Sequence, residues 1–97
     1  MTVRTPEDVI KLVAAYYRLP THEIIGSIRK KEVLMPRQIA MFLIYEILHY
    51  SLDSIGDYFG GKNHTTVLHA CNKIRGHMNR DTRLVSDLHA LKKEMGL

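Results

Sequence analysis

The sequence lacks several features that whole classes of protein require. Its 97 residues include one cysteine, Cys71, which excludes an internal disulfide and a cysteine-based metal site. Apolar runs are short and interrupted by charge, so we predict neither a membrane span nor a signal peptide. Hydrophobic residues make up 45% and charged residues 25%, which is typical of a folded soluble chain. The length suits one domain, residues 1–97.

Acidic residues are missing from one stretch of the chain. Residues 62–80 carry four Lys and Arg side chains and no Asp or Glu, and a second basic block lies at residues 29–37. Residues 38–61 between them are acidic, and both chain ends balance their charges. The formal net charge of +4 is therefore concentrated in two blocks. This segregation predicts two contact regions for a polyanion such as DNA.

Helical periodicity runs along the chain without competing β-alternation, so we predict an all-α fold of about six helices. The predicted N-caps are Thr5, Thr21, Ser51 or Asp53, Asn63 and Asp81. Pro36 is predicted to open the third helix as its first residue. A brief helix that ends at Gly60-Gly61 and a following helix with one apolar face form a helix-turn-helix pattern around residues 52–79.

The second helix of this pattern carries the candidate contacts on its polar face. Short polar side chains lie at its positive end, which suits hydrogen bonds to base edges and phosphates. Thr66, His69 and Lys73 recur at i, i+3 and i+7 and extend this polar face along the helix. In chain order these candidates are Asn63, His64, Thr65, Thr66, His69 and Lys73. A simpler interpretation is that Asn63 and Thr65 only cap the helix and the charges only solvate it, but the charge segregation argues against this.

Residues 60–70, Gly-Gly-Lys-Asn-His-Thr-Thr-Val-Leu-His-Ala, resemble the signature of the bacterial chromosomal replication initiator, the DnaA family. Residues 35–41 and 51–56 resemble the family at the same relative positions, so the likeness covers nearly the whole chain. The resemblance implies a Trp-repressor-like domain that binds short asymmetric origin sites of the TTATNCACA type, one copy per site, in the bacterial cytoplasm and nucleoid. It implies no enzymatic activity and no cofactor here, since ATP would belong to an upstream ATPase module.

The same resemblance implies roles for particular residues. Arg29, in a basic loop at Arg29–Lys31, would enter the minor groove, where concentrated negative potential favours arginine. The signature helix would read the major groove through His64, Thr65 and Thr66, with a further contact from His69. The residues that would fasten the DNA backbone are Lys31, Arg37 and Gln38.

Two residues depart from the family pattern: Asn63 stands where aspartate is usual, and Lys62 where arginine is usual. Aspartate only accepts hydrogen bonds and favours a cytosine amine, whereas asparagine donates and accepts and can pair with adenine. We therefore expect a relaxed base preference at this position. The loop also contains Ile28 and Glu32 among its cations, which predicts weaker phosphate binding.

Other functions fit the sequence less well than DNA binding. Residues 56–62 satisfy most of a phosphate-loop pattern, but Asn63 replaces the required Ser or Thr and no strand precedes it. The six histidines lack zinc spacing, and Cys71 lies on an apolar face, so we predict neither a metal site nor catalytic residues. The remaining alternative is a basic helical protein-interaction module that docks an acidic partner. The dependence of binding on salt and on DNA sequence would separate the two.

Overall fold

The computed structural model describes residues 3–97, and these form helices with no strand among them. The helices are α1 Pro6–Tyr17, α2 Thr21–Ile25, α3 Lys31–Leu43, α4 Leu52–Tyr58, α5 His64–His77 and α6 Thr82–Glu94. A π-helical segment, Ile44–Leu48, continues α3. The predicted all-α fold with six helices is confirmed.

Side-chain caps define where four of the helices begin. Thr5 and Asp8 cap α1 reciprocally, because each side chain accepts a hydrogen bond from the other residue's backbone N–H. Ser51 accepts from the N–H of Ser54, and Asp81 from that of Leu84, at 3.1 and 3.0 Å. Asn63 caps α5 in the same way. Each cap satisfies an N–H group that the first turn of a helix leaves without a partner.

Two predicted helix starts are wrong. Pro36 lies inside α3, which begins five residues earlier at Lys31, because Val33 is buried and holds this turn against the core. The helix loses one backbone hydrogen bond at the proline and keeps its apolar contacts. Thr21 is the first residue of α2 rather than its cap, and Pro20 takes the cap position without a side-chain hydrogen bond.

Helix α3 lies at the centre of the fold and packs against α1, α2 and α5. Its residues Ile39, Ala40 and Leu43 are fully buried. The apolar stripe of α6 is buried as predicted and closes the core from the side of α1. Cys71 is a core residue of α5, and burial raises the pKa of its thiol to about 11.

The turn between α4 and α5 is built on glycine. Gly60 and Gly61 both have left-handed backbones, with φ of 77° and 78°. The carbonyl of Gly56 accepts hydrogen bonds from the N–H groups of Phe59, Gly61 and Lys62. A Cβ on Gly56 would lie 1.9 Å from the carbonyl oxygen of Lys62, so only glycine allows this approach. The turn delivers the chain directly to the cap of α5.

Candidate nucleic-acid interface

The first two turns of α5 present polar side chains to solvent. Val67, Ala70 and Cys71 face the core, which leaves the other side of the helix exposed. The exposed residues include every predicted contact on this helix: His64, Thr65, Thr66, His69 and Lys73. The helix has no acidic residue in its first turn, so its positive end is not neutralised from within.

Asn63 acts as the cap of α5, and this fixes which part of its amide is left over. Its Oδ1 accepts a hydrogen bond from the backbone N–H of Thr66 at 3.0 Å and from the Thr66 hydroxyl at 3.2 Å. The amide oxygen must be the capping atom, since both partners donate. The Nδ2 amine is therefore the group that remains for another partner.

An acidic residue that is distant in the sequence lies beside the start of α5. Asp53, in the first turn of α4, places its carboxylate 3.5 Å from Nδ1 of His64. Both side chains are well exposed, with 82% and 61% of their surface accessible. Such an exposed pair contributes little to stability, but it places a carboxylate beside Nδ1 of the His64 ring.

A groove of about 230 Å³ runs between the basic loop and α5. Three cationic residues line it, Arg29 from the loop, Arg37 from α3 and Lys62 from the turn, and no carboxylate of residues 3–97 lines it. Gln38 and Thr66 also contribute to the groove, and the buried Oε1 of Gln38 has no hydrogen-bond donor within the described chain. The structure thus places Arg29, Gln38 and Thr66 along one groove.

The predicted role of Arg37 as a fastener of the DNA backbone needs correction. Only 4% of the residue is exposed, and its guanidinium donates to three carbonyls of the protein. Nε bonds to Ile24, Nη1 to Ile28 and Nη2 to Glu23, at 2.8, 2.9 and 2.7 Å. Burial lowers the pKa of Arg37. The side chain is committed to the end of α2 and to the loop, so it is not an exposed phosphate ligand.

Lys62 is a second cation with partners inside the protein. Its Nζ donates to the carbonyls of Gly26 and Phe59, both at 2.7 Å, and lies 3.4 Å from that of Ile25. Burial and the neighbouring charge of Arg37 lower the pKa of Lys62. The sequence singled out this residue only as a departure from a family pattern, because carbonyl partners from remote elements leave no local signal.

Lys31 lies apart from the other candidates. It is exposed and is the first residue of α3, so the predicted loop at Arg29–Lys31 ends one residue earlier. Its side chain lines a different cleft, of about 570 Å³, together with residues of α1 and α6 such as Tyr17 and Arg83. The structure does not group Lys31 with Arg29 and α5.

Two further residues of α5 were not singled out from the sequence. Leu68 is 38% exposed, although it is apolar and follows Thr65 by one turn. Its position at i+3 from a candidate contact was the available signal. Arg75 forms an ion pair with Glu46 and lies 5.9 Å above the ring of Phe42, so this cation is attached to the scaffold.

Among residues 3–97, no helix is long and apolar enough to cross a membrane. No three His, Cys, Asp or Glu side chains of this part of the chain come together as a possible metal site.

Comparisons with known proteins give a consistent family. Residues 6–74 match the family described as bacterial dnaA protein helix-turn-helix. The chain is 46% identical over 94 residues to the chromosomal replication initiator protein DnaA of Limosilactobacillus fermentum, covering 97% of this chain and 22% of that protein. The DnaA of Limosilactobacillus reuteri is 47% identical over 85 residues, which covers 88% of this chain and 19% of that protein.

A more distant relative agrees. The DnaA of Thermomicrobium roseum is 40% identical over 91 residues, covering 94% of this chain and 20% of that protein. The chain thus spans about a fifth of the length of these relatives. With the six-helix fold and the exposed start of α5, these matches establish that the chain belongs to the bacterial DnaA family, as its helix-turn-helix DNA-binding domain.

Proposed function

We propose that this domain binds double-stranded DNA sequence-specifically at replication-origin sites and so supports the initiation of chromosome replication. One observation carries the proposal. The exposed polar start of α5 lies beside a groove that three cationic residues line. The positive charge of this groove attracts a polyanion, and such a concentration of cations is typical of nucleic-acid-binding surfaces. The printed names of the relatives, which are chromosomal replication initiator proteins, favour an origin as the target.

Helix α5 is the proposed recognition helix. It would enter the major groove with its first residues against base edges, as the second helix of a helix-turn-helix does. His64 and Thr65 are exposed at this end, and Leu68 offers an apolar contact for a thymine methyl group. Further along the helix, His69 and Lys73 are exposed for contacts to the same strand or its phosphates.

Arg29 is the proposed minor-groove residue. It is exposed in the loop that forms one wall of the groove, and α5 forms the other. The sugar-phosphate backbone separates the major and minor grooves of DNA, so one strand would follow the groove of the protein. Gln38 and Thr66, which line it, would meet phosphate oxygens there. We expect one copy of the domain on each asymmetric site, with nucleotide binding left to other parts of the initiator.

Asn63 is the proposed origin of an altered base preference. Because its Oδ1 caps α5, the amide would present Nδ2 to DNA, and this amine only donates. Its acceptors in the major groove are N7 of a purine, O6 of guanine and O4 of thymine. An aspartate that caps through one oxygen would present an acceptor instead and would favour the amine of cytosine or adenine.

The base preference is tested with the variant Asn63→Asp on duplexes that differ at one base pair. We expect the variant and the parent to rank the four base pairs differently at a single position of the site. The expected difference is about 1–3 kcal/mol for a gained or lost base contact. Identical rankings by the two proteins would show that residue 63 only caps the helix.

The main experiment titrates the domain into fluorescent duplexes and follows anisotropy. One duplex carries the TTATNCACA-type site and the other a scrambled sequence of equal length, each at low and near-physiological salt. We expect tighter binding to the site, loss of that preference in Arg29→Ala and His64→Ala, and a salt slope of about −0.9 per phosphate contacted. Lys93→Ala is the matched control, since Lys93 is an exposed cation on α6 outside the groove.

The outcomes of this titration separate sequence-specific DNA binding, non-specific DNA binding and the absence of DNA binding. Steep salt dependence without preference would contradict sequence-specific recognition while keeping DNA as the ligand. Failure of the folded domain to bind either duplex at low salt would overturn the proposal. In that case a basic module that docks an acidic protein becomes the better explanation of the same surface.

A further inference from the structure

The end of α2 and the basic loop are held by side chains from other elements. A helix of five residues has few backbone donors for its last carbonyls, and among those of residues 23–26 the carbonyl of Glu23 accepts the N–H of Gly26. Here four consecutive carbonyls, those of residues 23–26, accept from Arg37 or Lys62. Arg37 also takes the carbonyl of Ile28, one residue before Arg29. The chain segment that carries Arg29 is therefore fixed at five carbonyls by two cations.

Lys62 connects this segment to the helix-turn-helix. Its ammonium group donates to Gly26, at the base of the loop, and to Phe59, at the end of α4. Lys62 also directly precedes Asn63, the cap of α5. Arg37 thus bonds to the residue directly before Arg29. Lys62 joins the base of the same loop to the residue that caps α5.

The arrangement places two positive charges close together at one side of the groove. Two cations lie close enough for Arg37 to lower the pKa of Lys62, and neither has a carboxylate partner among residues 3–97. Charge held away from water without a counter-ion is costly, more for the buried Arg37 than for the partly buried Lys62, and six carbonyl dipoles offset that cost only in part. Both cations line the groove along which a phosphate backbone would run, so the nearby negative charge of bound DNA would favour this arrangement although Arg37 keeps its carbonyl partners.

We propose that Arg37 and Lys62 are positioning residues that set the distance and angle between the minor-groove arginine and the recognition helix. The inference rests on the proposed function, because it concerns how two DNA contacts are registered with each other. Lys62 acts through the loop rather than by reading a base. Its removal should therefore cost affinity mainly by freeing Arg29 from its register.

A double-mutant cycle between Lys62→Met and Arg29→Ala tests this, with affinity for the site duplex measured by anisotropy. We expect Lys62→Met to weaken binding about tenfold in the parent and much less when Arg29 is already absent, since coupled residues are non-additive. Lys62→Arg keeps donors for the same carbonyls and should restore most of the affinity. Lys73→Met is the matched control, since a lysine that meets phosphate directly should combine additively with Arg29→Ala.

A second measurement does not involve DNA. Trypsin cleaves after Arg29 and Lys30, so the rate of cleavage in this loop reports how firmly it is held. We expect faster cleavage in Lys62→Met, the parent rate in Lys62→Arg, and no change in Lys73→Met. Circular dichroism of each variant verifies that the domain is folded, and Lys62→Gln replaces the methionine variant if that one unfolds.

The failures of the two proposals are distinguishable. If the parent prefers the site but Lys62→Met and Arg29→Ala combine additively, the positioning role is overturned and the DNA-binding function stands. If the loop of Lys62→Met is cleaved at the parent rate, the positioning role is likewise overturned. If the parent binds neither duplex, the proposed function fails and the positioning role fails with it.

Discussion

Arg37 and Asp87 are the two buried charged side chains of residues 3–97, and their hydrogen-bond partners differ in kind. Arg37 donates to three backbone carbonyls beside the proposed interface. Asp87, on α6, accepts from the hydroxyls of Tyr16 and Tyr17 on α1, at 2.9 and 2.8 Å. Backbone partners fix where the chain runs, whereas side-chain partners join two helices that are already formed. Arg37 therefore fixes the backbone beside the proposed interface, and Asp87 joins α6 to α1.

The largest expected effect comes from removing the buried cation. Arg37→Met removes a donor from three carbonyls, and of these that of Glu23 keeps the N–H of Gly26, so we expect the free energy of unfolding to fall by about 3 kcal/mol. The melting temperature should fall by about 15 °C for a domain of this size. Urea and thermal unfolding followed by circular dichroism measure both quantities. Arg29→Met removes an exposed arginine, and its free energy of unfolding should stay within about 0.5 kcal/mol of the parent value. Equal losses of stability in Arg37→Met and Arg29→Met would show that the carbonyl contacts of Arg37 do not stabilise the fold.

Removing the buried anion should have a smaller effect on stability and none on DNA. Asp87→Asn keeps one acceptor for the two tyrosines, and we expect a loss of about 2 kcal/mol in unfolding free energy. Affinity for the site duplex should stay within about twofold at a temperature where both proteins are folded. A larger loss of affinity would show that the α1–α6 contact also shapes the interface.

The anion site should make stability fall in alkali. Burial, followed by the hydrogen bond to Asp87, raises the pKa of Tyr17 above its ordinary value of 10.0, and the hydrogen bond to Asp87 raises that of Tyr16. The folded state then holds these protons more tightly than the unfolded state. The stabilisation is complete below pH 10 and is lost as the pH rises above it.

This pH dependence is measured by urea unfolding between pH 8 and pH 11. Tyr17→Phe removes the group with the more strongly raised pKa, so its stability should decline less steeply than that of the parent over this range. The other side chains are the same in both proteins, so their contributions cancel in the difference. Parallel curves for the parent and Tyr17→Phe would exclude a contribution from this tyrosine.

The smallest effect should come from an exposed pair. Glu46 and Arg75 form an ion pair at the surface, and Glu46→Gln should change the unfolding free energy by no more than about 0.5 kcal/mol. Repeating the urea titration at high salt should remove even this difference, because exposed charges are screened. A loss of unfolding free energy as large as that of Asp87→Asn would show that burial does not explain the different contributions of Glu46 and Asp87 to stability.

Local signals in the sequence predicted much of the fold. Thr5, Asn63 and Asp81 are caps in the structure, because a cap depends only on residues three positions apart. The glycine turn and the buried stripe of α6 follow from equally local rules. The predicted start of α3 is wrong because Pro36 is a common first residue of helices, whereas the N–H groups of Val33 and Leu34 already bond to the carbonyl of Lys30.

The site was less predictable than the fold. The exposed face of α5 follows from periodicity, and its residues were identified from the sequence. The surroundings of Arg37 were not, because its partners are carbonyls of residues 23–28 and carbonyls have no sequence identity. The π-helical segment at Ile44–Leu48 was also missed, since its periodicity hardly differs over five residues from that of an α-helix.

Gly56 has a consequence for anyone who would redesign the specificity of this domain. Its carbonyl gathers three N–H groups of the turn, and the space beside its Cα is filled by the backbone of Lys62. Libraries that randomise residues 64, 65, 68 and 69 can alter the surface of α5 while leaving its anchorage intact. Any side chain at residue 56 would displace the whole helix at once, so a screen that varies it would select for folding and conceal the effect of every other substitution.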